Sequence, residues 1–241
     1  MSARPTIVAM GGGGFSMSPD NGRLDPFLLS LARERSGRER PRVCYIPTAS
    51  ADSDSTLADF YTAYAAHAEP SHLALFRRTV DDIEAFLLAQ DLVFIGGGNT
   101  ANMLAIWRLH DADRAILAAW QAGVVMSGMS AGAICWFEGF TTDSFGPVLR
   151  PVRDGLGALG GSFVPHYHLE EQRRPLFHRL VAQGALPAGY GVDDGVALVF
   201  HDTELAEVVT SSPDAGAYRV TAVDGEAREE RLPARELPAA R

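Results

Sequence analysis

The chain has 241 residues, 46% of them hydrophobic, and a formal net charge of −9. That length suits one α/β domain burying roughly 70–75% of its unfolded surface, and the acidic balance argues against nucleic acid, whose phosphates need clustered cations. All 21 basic residues are Arg, and the absence of Lys excludes a Walker P-loop, a Schiff-base lysine and a Ser–Lys dyad.

Short apolar runs ending at Gly or Pro alternate with segments of helical period. Residues 6–10 (TIVAM) read as a strand, followed by a Gly11–Gly14 loop and a helix over 24–34. A strand at 42–47 and a helix at 55–67 come next, then a strand near 72–76, a helix near 80–89 and a strand at 91–95. Helices follow at 100–108 and 111–122, a fifth strand at 123–127, and a helix from Ala131 to Phe137. Strands without polar alternation, separated by helices, predict a doubly wound, mostly parallel sheet covered on both faces. Closely spaced strand candidates at 195–200, 205–210 and 217–223 predict antiparallel strands at its C-terminal edge. Residues 1–225 read as a single domain, and 226–241 as a charged, Pro-containing tail that frays.

Cys44 and Cys135 lie in apolar stretches without CxxC spacing and read as buried free thiols of a reducing compartment. No apolar run reaches the ~18–20 residues of a membrane span, and the start, Met1 to Pro5, lacks a signal-peptide pattern. A cytoplasmic protein is expected, needing no metal or cofactor, with neither nucleic acid nor membrane as partner and a homodimer left open.

The chemistry centres on Gly128-Met129-Ser130-Ala131-Gly132, a G-x-S-x-G run between an apolar strand and an apolar helical segment. That context is what a nucleophile elbow requires: a sharp turn exposes the Ser hydroxyl above the carboxyl edge of the sheet. The Ala131 N–H then faces the position of a developing oxyanion. A plain small-residue turn is the competing reading. Ser130 needs a base, and His166, after the apolar run Phe163-Val164-Pro165, falls at a strand end on the same edge. His67, His72 and His110 read as surface residues, His178 as helical, and His201 as the late His of an α/β-hydrolase. Asp194, in Val192-Asp193-Asp194-Gly195, is the candidate orienting carboxylate, although Asp-Gly also reads as an ordinary turn. The order Ser130, His166, Asp194 differs from the Ser…Asp…His order of α/β-hydrolases. A zinc set built from His166, His168, Glu170, Glu171 and His178 is the weaker alternative. The Gly11–Gly14 loop does not place G-x-G-x-x-G on a helix start, so it reads as cleft lining and not as a dinucleotide loop.

Four segments, Ile95–Thr100 (IGGGNT), Gly128–Ala133 (GMSAGA), Pro165–Tyr167 and Gly191–Gly195, together resemble peptidase E, the α/β serine peptidases that cleave dipeptides after an N-terminal aspartate, with cyanophycinase as a relative. The match runs over most of the chain and implies a fold like that of class I glutamine amidotransferases. It implies Ser130 as nucleophile, His166 as base and Asp194 as acid, where the family often has Glu, with Asp143 and then Glu138 as substitutes. It further implies Gly98 and Ala131 as oxyanion donors, and Gly97, Asn99 and Asp143 around a small peptide substrate. Arg173 or Arg174 would select an aspartyl side chain, in competition with Glu170 and Glu171. An esterase or amidase, or a relative that binds small molecules without turnover, are the rival functions.

Overall fold

A computed structural model describes residues 4–15, 17 and 22–238. All five residues of β1 (Thr6–Met10) are buried. In chain order there follow α1 (Leu24–Ser36), β2 (Arg42–Ile46), α2 (Asp54–Tyr64), β3 (Glu69–His72), α3 (Ile83–Leu88), β4 (Leu92–Ile95), α4 (Thr100–Leu109), α5 (Ala112–Gln121), β5 (Val125–Met129) and α6 (Ala131–Ile134). The second half contributes β6 (Phe137–Thr142), β7 (Arg150–Val152), β8 (Leu159–Val164), α7 (Arg173–Ala182), β9 (Gly189–Val192), β10 (Val196–His201), β11 (Glu204–Thr210), β12 (Ala217–Val223), β13 (Glu226–Arg231) and β14 (Arg235–Glu236).

The strands form two sheets. The first has the order β14-β11-β10-β1-β5-β4-β2-β3, parallel from β1 through β3, with β10 antiparallel to β1. Its alternating side chains feed two cores. Val8, Met10, Val43, Tyr45 and Phe94 pack with α1 and α2, while Ile7, Ala9, Cys44, Val93 and Met126 pack with α3, α4 and α5. Helices therefore cover both faces, as expected for strands apolar on both sides. The second sheet has the order β13-β12-β9-β8-β6-β7, with β6, β8 and β9 parallel. Phe137, Phe140 and Phe163 join it to the first sheet's core, and α7 covers its other side through Phe177 and Leu180.

The mixed α/β architecture was anticipated, but as one sheet. The chain instead leaves the helical pattern at Cys135, so the helix expected through Phe137 stops after one turn and the aromatic segment 137–142 becomes β6. The strand expected near 72–76 lies at Glu69–His72. The segment expected to fray from 226 also differs: β13 pairs with β12 from Tyr218↔Arg231 to Val223↔Glu226, and β14 pairs with β11. As an edge strand, β13 tolerates the charges that made it look like a tail; residues 239–241 lie outside the described range. Among the described residues no helix is long and apolar enough to cross a membrane.

Candidate active site

Ser130 occupies the one-residue step between β5 and α6 with φ 52° and ψ −115°, a conformation that costs a non-Gly residue on the order of 1–3 kcal/mol. Its neighbours make the turn possible. A Cβ on Gly128 would lie 2.2 Å from Gly132 O, and one on Gly132 would lie 2.2 Å from Ile95 O. The Ser130 amide donates to Met10 O (3.3 Å), which fixes the turn against the end of β1, and the residue is half-buried. From the β4–α4 loop, Gly97 approaches so closely that its Cβ would meet Ser130 Cβ at 3.3 Å.

His166 follows β8, also in left-handed backbone (φ 51°). Its Nδ1 lies 2.5 Å from Asp194 Oδ1, with both side chains largely buried, 13% and 20% exposed. Asp194 sits in the three-residue crossing from β9 to β10. Two residues beyond Met10, Gly12 bridges to Asp194, and Gly195 N–H donates to Gly12 O (2.9 Å). A Cβ on Gly12 would lie 2.2 Å from Asp194 Oδ1 and 2.9 Å from His166 Cε1. The end of β1 thus touches the Ser130 turn at Met10 and the His–Asp couple at Gly12. Within the Gly11–Gly14 loop, expected to line the cleft, Gly12 meets this couple while Gly14 faces Asp25 and Phe94; residues 16 and 18–21 beyond it lie outside the described range.

Of the two expected oxyanion donors, Ala131 stands at the first position of α6, where an amide has no intrahelical acceptor. Gly98 is exposed at φ 137°, and a Cβ there would lie 2.2 Å from Ala49 O, so only glycine fits.

The remaining expected residues are placed differently. Asn99 is committed to structure: its Oδ1 accepts from Asn102 N–H (2.9 Å) as the N-cap of α4, and its Nδ2 donates to Ser144 O (3.2 Å). Asp143 lies in an exposed turn after β6, and Glu138 accepts weakly from Gly161 N–H (3.4 Å), so Asp194 and neither of these meets His166. Arg173 is buried against Glu170 (2.8 Å), and Arg174 pairs with Glu229 (2.7 Å). Each guanidinium is thus paired within the fold, Arg173 with a partly exposed carboxylate and Arg174 with a largely buried one. The zinc alternative separates into pairs: His168 with Asp193 (2.8 Å), His178 with Glu229 (2.8 Å) and Glu170 with Arg173. Among the described residues no three His, Cys, Asp or Glu converge on a metal position. His201 meets Thr6 Oγ1 (3.2 Å) at the far end of β10.

The Gly11–Gly14 loop was expected to line the cleft, and Gly12 is the residue of it that sits against the His–Asp couple. One further contributor was not foreseen. Asp193, buried, accepts from the His168 amide (3.1 Å) and the Gly216 amide (2.9 Å), tying the His166 loop to the second sheet. In the sequence Asp193 stands out only as part of the turn that carries Asp194.

Known proteins of similar sequence and fold place the chain among the peptidases. It belongs to peptidase family S51, whose profile matches residues 7–208. It is 46% identical over 232 residues to the uncharacterized peptidase YgaJ of Bacillus subtilis (strain 168), covering 96% of this chain and 98% of that one. Its fold resembles the crystal structure of a peptidase from an acI-B1 actinobacterium, with a TM-score of 0.68 at 17% identity over 97% of this chain and 96% of that one. It also resembles a protein assigned as a peptidase E from Listeria monocytogenes EGD-e, with a TM-score of 0.58 at 16% identity over 96% and 100% of the two chains.

Proposed function

We propose that the chain hydrolyses short peptides through an acyl-enzyme, with Ser130 as nucleophile, His166 as general base and then acid, and Asp194 holding the imidazole. The observation that carries this reading is the 2.5 Å His166–Asp194 contact beside the strained Ser130 turn. With Nδ1 engaged by Asp194, Nε2 is the nitrogen left to take the Ser130 proton. Among the described residues Ser130 and His166 share no hydrogen bond, and catalytic contacts of this kind often tighten only when substrate arrives. The amides of Gly98 and Ala131 would receive the oxyanion, each donor contributing ~10²–10³ in rate.

Cleavage after an N-terminal aspartate is the finer reading, and it requires Arg173 or Arg174 to leave its internal carboxylate. Arg174 is the more accessible of the two, with 48% of its side chain exposed against 7% for Arg173. An esterase or amidase would share the machinery. A fluorophosphonate probe should label the wild type and not Ser130→Ala, which should lose on the order of 10⁶ in turnover while staying folded. Labelling of neither would favour a non-catalytic binding protein. A dipeptide panel read by amine release, set beside p-nitrophenyl esters, then separates Asp-X dipeptidase from the broader activities.

A further inference from the structure

One residue beyond His166 the chain reaches a second carboxylate, on the strand that composition made look like a tail. Tyr167 directly follows His166 and is fully buried. Its ring covers Gly191, where a Cβ would lie 2.5 Å from ring carbons, and its amide donates to Val192 O (3.2 Å). Its hydroxyl donates to Glu229 Oε2 on β13 (2.6 Å). The same carboxylate accepts from Arg174 Nη2 (2.7 Å) and meets His178 Nε2 (2.8 Å), both on α7. Burial pushes the Glu229 carboxyl upward, but the hydrogen bonds from Arg174, Tyr167 and His178 outweigh it and hold it below the ordinary range. One anion therefore joins the His166 loop, α7 and β13. The family match ends at residue 208, so of the joint's four residues only Glu229 lies beyond it.

The left-handed backbone at His166 persists only while its surroundings hold it. On one side the Glu170 amide donates to His166 O (3.1 Å); on the other stands Tyr167. We propose that Glu229 is a positioning residue for His166: through the Tyr167 hydroxyl it holds the loop so that the imidazole stays on Asp194. The inference rests on His166 being the base.

The test uses the full-length chain with Tyr167→Phe, which removes only the hydroxyl, and Glu229→Gln, which keeps an acceptor but loses the charge. Three readouts are taken: the rate of fluorophosphonate labelling at Ser130, kcat against KM, and the downfield proton resonance of the His166 Nδ1–H. The expected result for Tyr167→Phe is a fall of about tenfold or more in labelling rate and kcat, since a 1 Å misplacement can cost ~10². KM should hold and the Nδ1–H resonance should move upfield. Glu229→Gln should fall less, because it still accepts from Tyr167. Val220→Ala, in the same small core, should lower Tm without changing the labelling rate. Wild-type labelling and an unmoved resonance in both Tyr167→Phe and Glu229→Gln would overturn the proposal. His166→Ala separates the two claims: if it labels normally, the base assignment falls and the anchor with it; if it is inert while Tyr167→Phe is normal, only the anchor falls.

Discussion

A single methyl group at Gly12 should disable catalysis while leaving the fold in place. Gly12 lies outside the left-handed region, so alanine meets no backbone barrier there. The atoms its Cβ would strike are side-chain atoms: Asp194 Oδ1 at 2.2 Å, Asp194 Cγ at 2.7 Å and His166 Cε1 at 2.9 Å. Ordinary contact begins at 3.4 Å, so Asp194 must retreat by about 1.2 Å and His166 by about 0.5 Å. The 2.5 Å hydrogen bond between them cannot survive both movements. A misplacement near 1 Å costs ~10² in rate, and complete loss of the orienting carboxylate ~10⁴, so kcat for Gly12→Ala should fall within that range. The stability loss should stay on the order of 1 kcal/mol. Gly11→Ala is the contrast, because its Cβ would lie 2.3 Å from Asp193 O and 2.4 Å from Val192 O, which are backbone atoms that cannot swing aside; it should fail to fold. The assay is the rate of fluorophosphonate labelling at Ser130, with circular dichroism as the check on folding. In an Asp194→Ala background the added methyl should cost little, because both changes act on one couple. A folded Gly12→Ala that labels at the wild-type rate would refute the assignment of Asp194 and His166 to the reaction.

Asp194→Asn should lower kcat by ~10⁴, measured on whichever dipeptide the panel selects; an unchanged value would remove Asp194 from the mechanism. Asp25, on the first turn of α1, is pushed up to about 6 by burial, against the hydrogen bond from Tyr64 (2.7 Å). The folded chain thus holds this proton more tightly than the unfolded one, and the associated stability is present below about pH 4 and lost as pH rises through 6. From 3.8 to about 6, at about 1.4 kcal/mol per unit, the loss reaches about 3 kcal/mol. Asp25→Asn should recover up to that amount at pH 7 and little at pH 4, read from urea midpoints at the two pH values. Cys44 and Cys135 are fully buried, and burial pushes both thiols upward. Iodoacetamide should leave the native protein unmodified by mass and react at both sites only after unfolding.

Where the sequence was legible, periodicity and motif agreed with packing. TIVAM at 6–10 became β1 without a shift, because it is apolar on both faces and buried on both. The Ser130 turn was legible because its glycines have no alternative: Gly128 and Gly132 approach the backbone too closely for a side chain. The second sheet was hidden because its strands are short, and because β7 carries Pro151 and β8 a Gly160–Gly161 pair, residues that weaken a strand pattern. The β12–β13 hairpin left a cue: Asp224 and Gly225, both at positive φ, form the two-residue connection that Asp-Gly favours. The charges of 226–231 masked it. The fates of Asn99, Arg173 and Arg174 could not be read, because a polar residue near a cleft is equally able to face substrate or to pair with whatever the fold brings beside it.

The position of Asp194 explains why the glycines after β1 matter so much. At Asp193–Gly195 the chain leaves the second sheet and enters the first, and both sheets hold that crossing. Asp193 N–H donates to Gly216 O (3.0 Å) on one side, while Gly195 N–H donates to Gly12 O and Ser211 N–H to Gly195 O (2.8 Å) on the other. In the proposed mechanism, an orienting carboxylate fixed at such a junction would need no helix or lid to place it, leaving little reorganisation for the reaction itself. The requirement falls on β1, whose continuation must run against the crossing at backbone distance. Only residues without side chains permit that approach, which is why one position along, the same methyl group should report on folding at Gly11 and on catalysis at Gly12.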